Sequence, residues 1–402
     1  MKRILFTTFI LSFLLLGITA QEPTVWRNGT DGIYPDTGLL KSWPADGPEI
    51  LWVFEGLGEG HSSPVFAHEH IFLATMIDNV GYIFIFDMDG NEVKRYPYGA
   101  EYHDSFNGSR SSTVIVGDWL YIYSGYGVIS AFEAMTGELR WKRDMLTETD
   151  GENIQWGVTE TLVVDGEKIF CSPGGKKQNV VALNRKTGEQ IWASPGVGDA
   201  SAYCTPLLLD LGSRKLLVTM MASHIIGVDT ETGETLWNYH QPNQWSVHAN
   251  TPVYRDGVLY CTSGYGHGTV ALNLAPDGSS VTKKWFNSDF DNRMGGVVYL
   301  DGYLYASGDK NRGWMAVNAE SGETVWSVRN PANGVVISAD GLLYLYTDRG
   351  ELVLVEPTPD EYRQISETRV THGTAQHWAH PVIHNGNLYL RHGDALIAYK
   401  IK

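Results

Sequence analysis

Short apolar stretches alternate with polar turns along most of the chain, and the alternation has the period of β-strands. Five hairpin signals, each an Asp-Gly or Asn-Gly pair between apolar stretches, occur at VVDGEKIF, YRDGVLYC, YLDGYLYA, SADGLLYL and IHNGNLYL. These pairs favour type I′ turns, because both central residues need a positive φ. With weaker copies at AHEHIFLA, VGDWLYIY and LGSRKLLV, the hairpin recurs eight times at a mean step of about 45 residues.

A third apolar segment follows each hairpin, and a fourth carries a tryptophan in most repeats. The fourth segment begins with a tight turn at TGELRW, TGEQIW, TGETLW and SGETVW. Its tryptophans, at positions 141, 192, 237, 285 and 326, are 41 to 51 residues apart. Four strands in a repeat of this length are typical of a β-propeller blade. We therefore expect each tryptophan to lie on an outermost strand and to pack against the next blade.

The last repeat ends at Lys402, directly after its third strand, and its missing fourth strand is found near the start as EILWVFEG (49–56). Pairing of this segment with residues 394–400 would close the ring and remove two exposed sheet edges. We predict an all-β fold: a single eight-bladed β-propeller of four-stranded antiparallel blades over residues 49–402. Residues 21–48 are expected to form an irregular lead-in across the last blade.

The first 20 residues have the pattern of a signal peptide, with Lys2 and Arg3, an apolar run and a small-residue cleavage site at Thr19-Ala20. The run is short for a membrane span and no later segment is long enough, so we expect no transmembrane segment. No cysteine adjoins the cleavage site, which argues against a lipid anchor. We expect an exported monomer, periplasmic or secreted.

Charge and cysteine content exclude several classes of protein. The formal net charge of −16, without a basic stripe, argues against a nucleic-acid binder. The three cysteines, Cys171, Cys204 and Cys261, form no CxxC pair, haem-attachment signal or zinc pattern. Free thiols in apolar strands behave as small buried hydrophobes. A Cys171–Cys204 disulfide stays open as an alternative.

The repeats VALNRKTGEQIW (181–192) and GVDTETGETLW (227–237) resemble the PQQ-like propeller repeat. That superfamily contains quinoprotein dehydrogenases, which bind pyrroloquinoline quinone and calcium, and BamB-like outer-membrane assembly lipoproteins, which act as scaffolds without a cofactor. The adjacent Cys-Cys pair and the calcium-ligand motif of the quinoproteins are not found, and this chain is shorter. The resemblance implies a BamB-like short member without a cofactor; the quinone and calcium are implied only by the wider family.

Long connections between blades and after second strands would share one face of the propeller, where binding residues usually lie. Residues just before the first strands are expected nearest the axis, and their side chains suit a carboxylated or hydroxyl-rich ligand. The candidate ligand-binding residues are His61, Arg110, Trp156, Tyr203, His248, Asn250, Arg293, His377 and His380. Alternatively, these side chains only cap the channel and bond to the backbone. No metal site is predicted, since the side chains of an HxxH in an extended segment diverge.

We expect a non-catalytic exported propeller that binds a glycan or protein partner on this face. The alternative is an enzyme using the same funnel. One form would abstract a proton beside a uronate carboxylate, with a His or Tyr as base and an Arg neutralising the charge. The other would be a reduced quinoprotein dehydrogenase. No nucleophile motif such as GxSxG is present.

Overall fold

The structure is a computed structural model that describes residues 23–29 and 31–402, so the predicted signal peptide lies outside the described residues. Eight blades of four antiparallel strands form the structure, and a fifth, parallel strand joins the sheet of one of them, which confirms the all-β, eight-bladed propeller. We number the blades 1 to 8 in chain order. In the described part of the chain, no helix combines the length and the apolar character that crossing a membrane requires.

The blades share one plan of four antiparallel strands, and in every blade except blade 7 the first strand is the shortest. Blade 1 consists of Val65–Ala67, His70–Ile77, Val80–Phe86 and Glu92–Ala100, and blade 2 of Val114–Val116, Trp119–Tyr123, Val128–Glu133 and Leu139–Asp144. Blade 3 consists of Val163–Asp165, Lys168–Cys171, Val180–Asn184 and Gln190–Ser194, and blade 4 of Leu207–Asp210, Lys215–Met220, His224–Asp229 and Thr235–His240. Blade 5 consists of Val253–Arg255, Val258–Thr262, Thr269–Leu274 and Val281–Asn287, and blade 6 of Val298–Leu300, Tyr303–Gly308, Gly313–Asn318 and Thr324–Val328. Blade 7 consists of Gly334–Ala339, Leu342–Thr347, Glu351–Glu356 and Arg363–Arg369. Blade 8 consists of Val382–His384, Asn387–His392, Ala395–Lys400 and the N-terminal strand Glu49–Glu55. A short α-helix, Met145–Thr149, follows blade 2.

The hairpin turns largely have the predicted backbone. Asp256, Asp301, Asp340 and Asn385 have φ values between 47° and 52°, and the glycine after each also has a positive φ. At Asp165-Gly166 only the glycine has a positive φ, so that turn is of a different type.

The predicted closure of the ring is confirmed. Glu49–Glu55 pairs antiparallel with Ala395–Lys400, with Glu49 opposite Lys400 and Glu55 opposite Ala395. The first and last parts of the chain therefore form one blade together. The closing strand covers the sheet edge that Ala395–Lys400 would otherwise expose.

The repeated tryptophans lie on the outermost strands, as predicted, and each one bonds to the next blade. Trp237 is buried, and its indole N–H donates to the carbonyl oxygen of Gly278 in blade 5 at 3.1 Å. Equivalent bonds of 2.9–3.1 Å are made by Trp52, Trp141, Trp192, Trp285 and Trp326. In blade 1, Tyr96 takes this position and donates its hydroxyl to the carbonyl of Ala134 at 2.9 Å. The aromatic side chain is thus both an apolar wedge and a hydrogen-bonded link.

The apolar core is divided into layers between neighbouring blades. Cys171 belongs to the layer between blades 2 and 3, and Cys204 and Cys261 belong to the layer between blades 4 and 5. All three cysteines are free and buried, so the alternative of a Cys171–Cys204 disulfide does not hold.

The lead-in passes through the central channel, and so contacts more than the last blade. Thr24 bridges to Ile115 on the first strand of blade 2. Ile33–Tyr34 then pairs in parallel with Ser338 and Ala339 on the first strand of blade 7. Because first strands line the channel, the residues between these two points cross it. We call residues 24–29 and 31–34 the crossing segment.

The crossing segment is anchored at its middle by a 3₁₀ turn, Trp26–Asn28. Arg27 in this turn is buried and donates from Nη1 to the carbonyl of Val336 at 2.7 Å. After blade 7 the lead-in runs outward, where the backbone N–H of Trp43 donates to Ser366 at 2.9 Å on the outermost strand. The chain then enters the closing strand of blade 8.

Candidate functional site

The face formed by the loops between blades, here the long-loop face, opens into a central funnel of about 330 Å³. A wider cavity of about 980 Å³ opens on the opposite face, among the short hairpin turns. Trp26 of the crossing segment lines both cavities, as do Thr161 and Thr205. Trp26 therefore lies between the two cavities and forms part of the funnel floor.

The funnel brings together six of the nine candidate residues. Its lining includes His61, Arg110, Trp156, Tyr203, Arg293 and His380. His248, Asn250 and His377 do not line it, so the expectation that they lie nearest the axis does not hold.

Neighbouring residues line the funnel in place of two of these exceptions. Val247 and Ala249 line the funnel, whereas His248, which stands between them in a loop, does not. The ring of His248 instead bonds to the carbonyl oxygen of Ala222. Trp378 likewise lines the funnel, whereas its neighbour His377 does not.

The three exceptions hold neighbouring loops together. His248 is fully buried. Asn250 donates its side-chain amide to the carbonyl of Asn292 at 2.6 Å, which ties the loop before blade 5 to the loop before blade 6. His377 stacks on His392 with 3.6 Å between ring centroids. For these residues, the capping role weighed as the alternative is the one that the geometry supports.

Arg110 is a part-buried cation whose hydrogen bonds all go to backbone carbonyls, and its guanidinium also lies 4.9 Å from the ring centroid of Tyr102. Its Nη2 donates to Ser105 at 2.9 Å and to Phe106 at 2.7 Å, and its Nη1 donates to Trp156. A guanidinium has five N–H donors, so these three bonds leave two uncommitted. Burial lowers the pKa of Arg110, but a guanidinium stays charged at neutral pH. Its positive charge is therefore available to an anion in the funnel.

His61 has two buried ring nitrogens that no group of the described residues satisfies. Burial, assisted by the charges of Arg391 and Arg110, lowers the pKa of His61 to about 3. The neutral imidazole carries one donor and one acceptor. Unpaired buried polar groups are uncommon in native structures and call for a specific explanation.

Aromatic side chains form much of the funnel wall. The Trp156 backbone N–H donates to the hydroxyl of Tyr203 at 3.2 Å, and the two aromatic rings lie 5.8 Å apart. Across the rim, Trp378 packs 5.0 Å from Phe106 and 5.0 Å from His61. Burial raises the pKa of Tyr203 to about 12. These faces suit apolar surfaces of a ligand, and the Tyr203 hydroxyl stays protonated at neutral pH.

The floor is fixed by contacts of the crossing segment. Arg27 donates from Nη1 to Nδ1 of His380 at 2.9 Å, and the ring of Trp26 lies 5.0 Å from that of His380. Burial and the charge of Arg27 hold the pKa of His380 well below its usual range. On the wall, Arg293 donates to Asp309 at 2.7 Å. The floor is thus neutral at His380 and rigidly bonded.

Sequence reasoning missed Trp26, Phe106, Tyr265 and Trp378, which also line the funnel. Trp26 lies in the lead-in, and the other three lie in irregular loops. Sequence reasoning also missed a series of side-chain hydroxyls that accept bonds from neighbouring blades, and two of these residues, Thr161 and Thr205, line the funnel. Backbone N–H groups of Ser63, Ser112 and Thr161 donate to the side-chain oxygens of Ser112, Thr161 and Thr205, respectively, at 3.0–3.3 Å. The signal was available, because each of these residues stands two positions before a first strand.

We expect acid to destabilise the fold partly through His248. Nε2 of His248 bonds to the carbonyl of Ala222 at 3.2 Å, and burial lowers its pKa to about 4. Between pH 6.5 and 4 this histidine is protonated in the unfolded state and neutral in the folded state. The free energy of unfolding therefore falls as the pH falls. At pH 5 this one group lowers the free energy of unfolding by about 2 kcal/mol relative to neutral pH. Urea unfolding at pH 7 and pH 5 should show a smaller acid-induced loss for His248→Gln than for the unchanged protein.

The control for this comparison is His240→Gln, at an exposed side chain. It should leave the difference between pH 7 and pH 5 as it is in the unchanged protein. An acid-induced loss that is the same in all three proteins would contradict the assignment of His248.

The donor set of the funnel is poor in metal ligands. None of the residues that line it is an aspartate or glutamate. Over the described residues, no group of three or more His, Cys, Asp or Glu side chains is placed to hold a metal ion. The funnel offers cationic, aromatic and hydroxyl groups instead.

Comparison with known proteins relates the chain to one family. A profile of the family described as outer membrane protein assembly factor BamB matches residues 79–328. The assembly factor BamB of Kangiella koreensis is 25% identical over 157 residues, which are 39% of this chain and 36% of that protein. The quinoprotein ethanol dehydrogenase of Pseudomonas aeruginosa is 25% identical over 154 residues, 35% of this chain and 24% of the dehydrogenase. Each match thus spans well under half of the relative's length.

Among solved structures, BamB from Moraxella catarrhalis is similar with a TM-score of 0.63 and 15% sequence identity. The similarity covers 88% of this chain and 100% of that one. At this level of identity the likeness establishes the shared fold alone.

Proposed function

This chain belongs to the family of the outer membrane protein assembly factor BamB, and from that membership and the funnel we propose that it is an exported, non-catalytic binding protein. Its relatives suggest a propeller scaffold or binding protein. The finer proposal is that the funnel of the long-loop face takes an acidic glycan fragment, a sugar that carries a carboxylate.

The observation that carries this proposal is the combination of Arg110 with His61 in one pit. Arg110 has uncommitted donors and no carboxylate bonded to it among the described residues. His61, whose ring nitrogens lack a partner, adds one donor and one acceptor. A uronate supplies a carboxylate for the arginine and hydroxyls for the histidine. Its carbon-bound hydrogens can pack on the aromatic faces of Trp156 and Trp378.

Proton abstraction by the same residues is less well supported. A general base works best with a pKa near the operating pH. The pKa of His61 is lowered to about 3, and that of Tyr203 is raised to about 12. Neither pKa is close to neutral pH, and these shifts support binding over a lyase reaction.

The residues present also do not fit calcium-bound pyrroloquinoline quinone. Calcium needs six to eight oxygen ligands, carboxylates prominent among them, and no carboxylate lines this funnel. The three cysteines are buried in the layers between blades. We therefore derive no reaction through this cofactor.

The test is calorimetric titration with galacturonate, glucuronate and alginate oligosaccharides, and with neutral glucose oligosaccharides of equal length. We expect at least one acidic series to bind, and Arg110→Met to weaken binding about tenfold or more. A charge-assisted hydrogen bond is worth roughly 1.5–3 kcal/mol, and 1.4 kcal/mol is about tenfold. The matched control is Arg140→Met, on the exposed outer strand of blade 2, which should bind like the unchanged protein.

Two results would overturn the proposal. One is equal binding of acidic and neutral sugars, or of neither. The other is release of an unsaturated uronate, seen by its ultraviolet absorbance, which would favour the lyase.

A further inference from the structure

A second recess lies beside the funnel, on the same face, between blades 6 and 7. It has a volume of about 280 Å³ and is lined by Arg293, Arg312, Arg329 and Arg349, among others. Arg293 lines both the funnel and this recess, so the two cavities are adjacent. We call it the rim recess.

The rim recess gathers positive charge in an acidic chain. Arg312, Arg329 and Arg349 are exposed, and the described residues place no carboxylate in bonding distance of their guanidinium groups. Asp309, which also lines the recess, is bonded to Arg293 at 2.7 Å. The formal net charge of the whole chain is −16. Unpaired like charges at one recess repel each other, and an anion between them would relieve that repulsion.

The recess also contains one acceptor that lacks a donor. Oδ1 of Asp348 is buried and has no hydrogen-bond partner among the described residues. A ligand that carried only negative oxygens would face Asp348 unfavourably. A ligand with both a carboxylate and hydroxyls would satisfy the arginines and donate to Asp348. This donor and acceptor pattern is that of an acidic sugar.

We infer that the rim recess is a second subsite for an acidic sugar, so that the long-loop face binds an oligouronate of at least two residues. The inference rests on the proposed function, because it assumes that the funnel holds the first sugar. Arg293, which is shared by the two cavities, would lie between neighbouring sugar units. Guanidinium groups suit such a site because their planar donors pair with carboxylates.

The test is the dependence of affinity on ligand length. Galacturonate, glucuronate and alginate series of one to four sugars are titrated into the unchanged protein and the double variant Arg329→Met/Arg349→Met. We expect affinity to rise about tenfold or more from one sugar to the longer oligomers, as for one added charge-assisted contact. The double variant should lose that gain and keep the affinity for the single sugar. Arg363→Met, on the exposed outer strand of blade 7, is the control and should keep the gain.

The outcomes separate the two proposals. If no acidic sugar of any length binds, the proposed function fails, and the inference fails with it. If acidic sugars bind but affinity does not depend on length, or the double variant keeps the gain, only the second subsite is overturned. Equal binding of an oligoglutamate peptide would also overturn the second subsite, since the recess would then recognise negative charge alone. Because both arginines are exposed, their replacement is expected to leave the fold intact, and an unchanged melting temperature checks this.

Discussion

A chain that begins at residue 57 is expected to aggregate or to remain unfolded, whereas a chain that begins at residue 23 should be soluble and fold. The missing strand, Glu49–Glu55, pairs with Ala395–Lys400 and is the outermost strand of blade 8. Without it, a sheet edge is exposed in a fold that depends on closure. Phe54 also packs 4.8 Å from Phe86, so the contact between the last and first blades is lost as well. Soluble yield and thermal unfolding measure the effect.

The matched control for this deletion is a chain that begins at residue 45. It keeps the closing strand but lacks the crossing segment and its anchor at Arg27. This shorter deletion should stay soluble and melt at a lower temperature than the chain from residue 23. Equal solubility and equal melting of the chains from residues 45 and 57 would contradict the role assigned to the strand.

Trp237→Ala is expected to lower the free energy of unfolding by about 3–5 kcal/mol, the range of aromatic truncations in a core. The side chain is only 7% exposed, and its indole N–H donates to Gly278 of the next blade. It also packs over Gly227, where an added Cβ would stand 2.2 Å from the indole. The truncation therefore leaves a cavity and an unpaired carbonyl between blades 4 and 5. Urea unfolding, or a melting curve, measures the loss.

Two further variants separate the causes. Trp237→Phe keeps most of the apolar wedge and removes the hydrogen bond, so it should cost less, about 1–3 kcal/mol for the unpaired carbonyl. Lys177→Ala, at an exposed loop position, should be close to neutral. A melting temperature that Trp237→Ala leaves unchanged would show that the repeated tryptophan is not a wedge between blades.

The blades were predictable because their signals are local and repeated. Asp-Gly pairs set hairpins through their own φ preferences, and the tight turn before each tryptophan fixes the fourth strand. The closure of the propeller ring was also predictable, because EILWVFEG has the pattern of the strand that the last repeat lacks. Tyr96 was missed because blade 1 uses a different aromatic residue for the same bond.

The site was only partly predictable, for two physical reasons. In irregular loops the sequence does not fix which of two neighbouring side chains faces the axis, so His248 was named where Val247 and Ala249 line the funnel. The crossing segment was also misplaced, because it has no periodic pattern. Its position depends on contacts between residues far apart in sequence, such as the bond from Arg27 to Val336.

The crossing segment makes the funnel floor part of a linked equilibrium. A ligand that rests on Trp26 binds better when Trp26–Asn28 is in the channel, because the floor is then present. By thermodynamic reciprocity, the same ligand favours the inserted segment by the same factor. Occupancy of the funnel should therefore protect the backbone of Trp26–Asn28 from hydrogen exchange, although these residues belong to none of the eight blades. The change in ligand affinity that the inserted segment causes and the change in its insertion that the ligand causes are two measures of one coupling free energy.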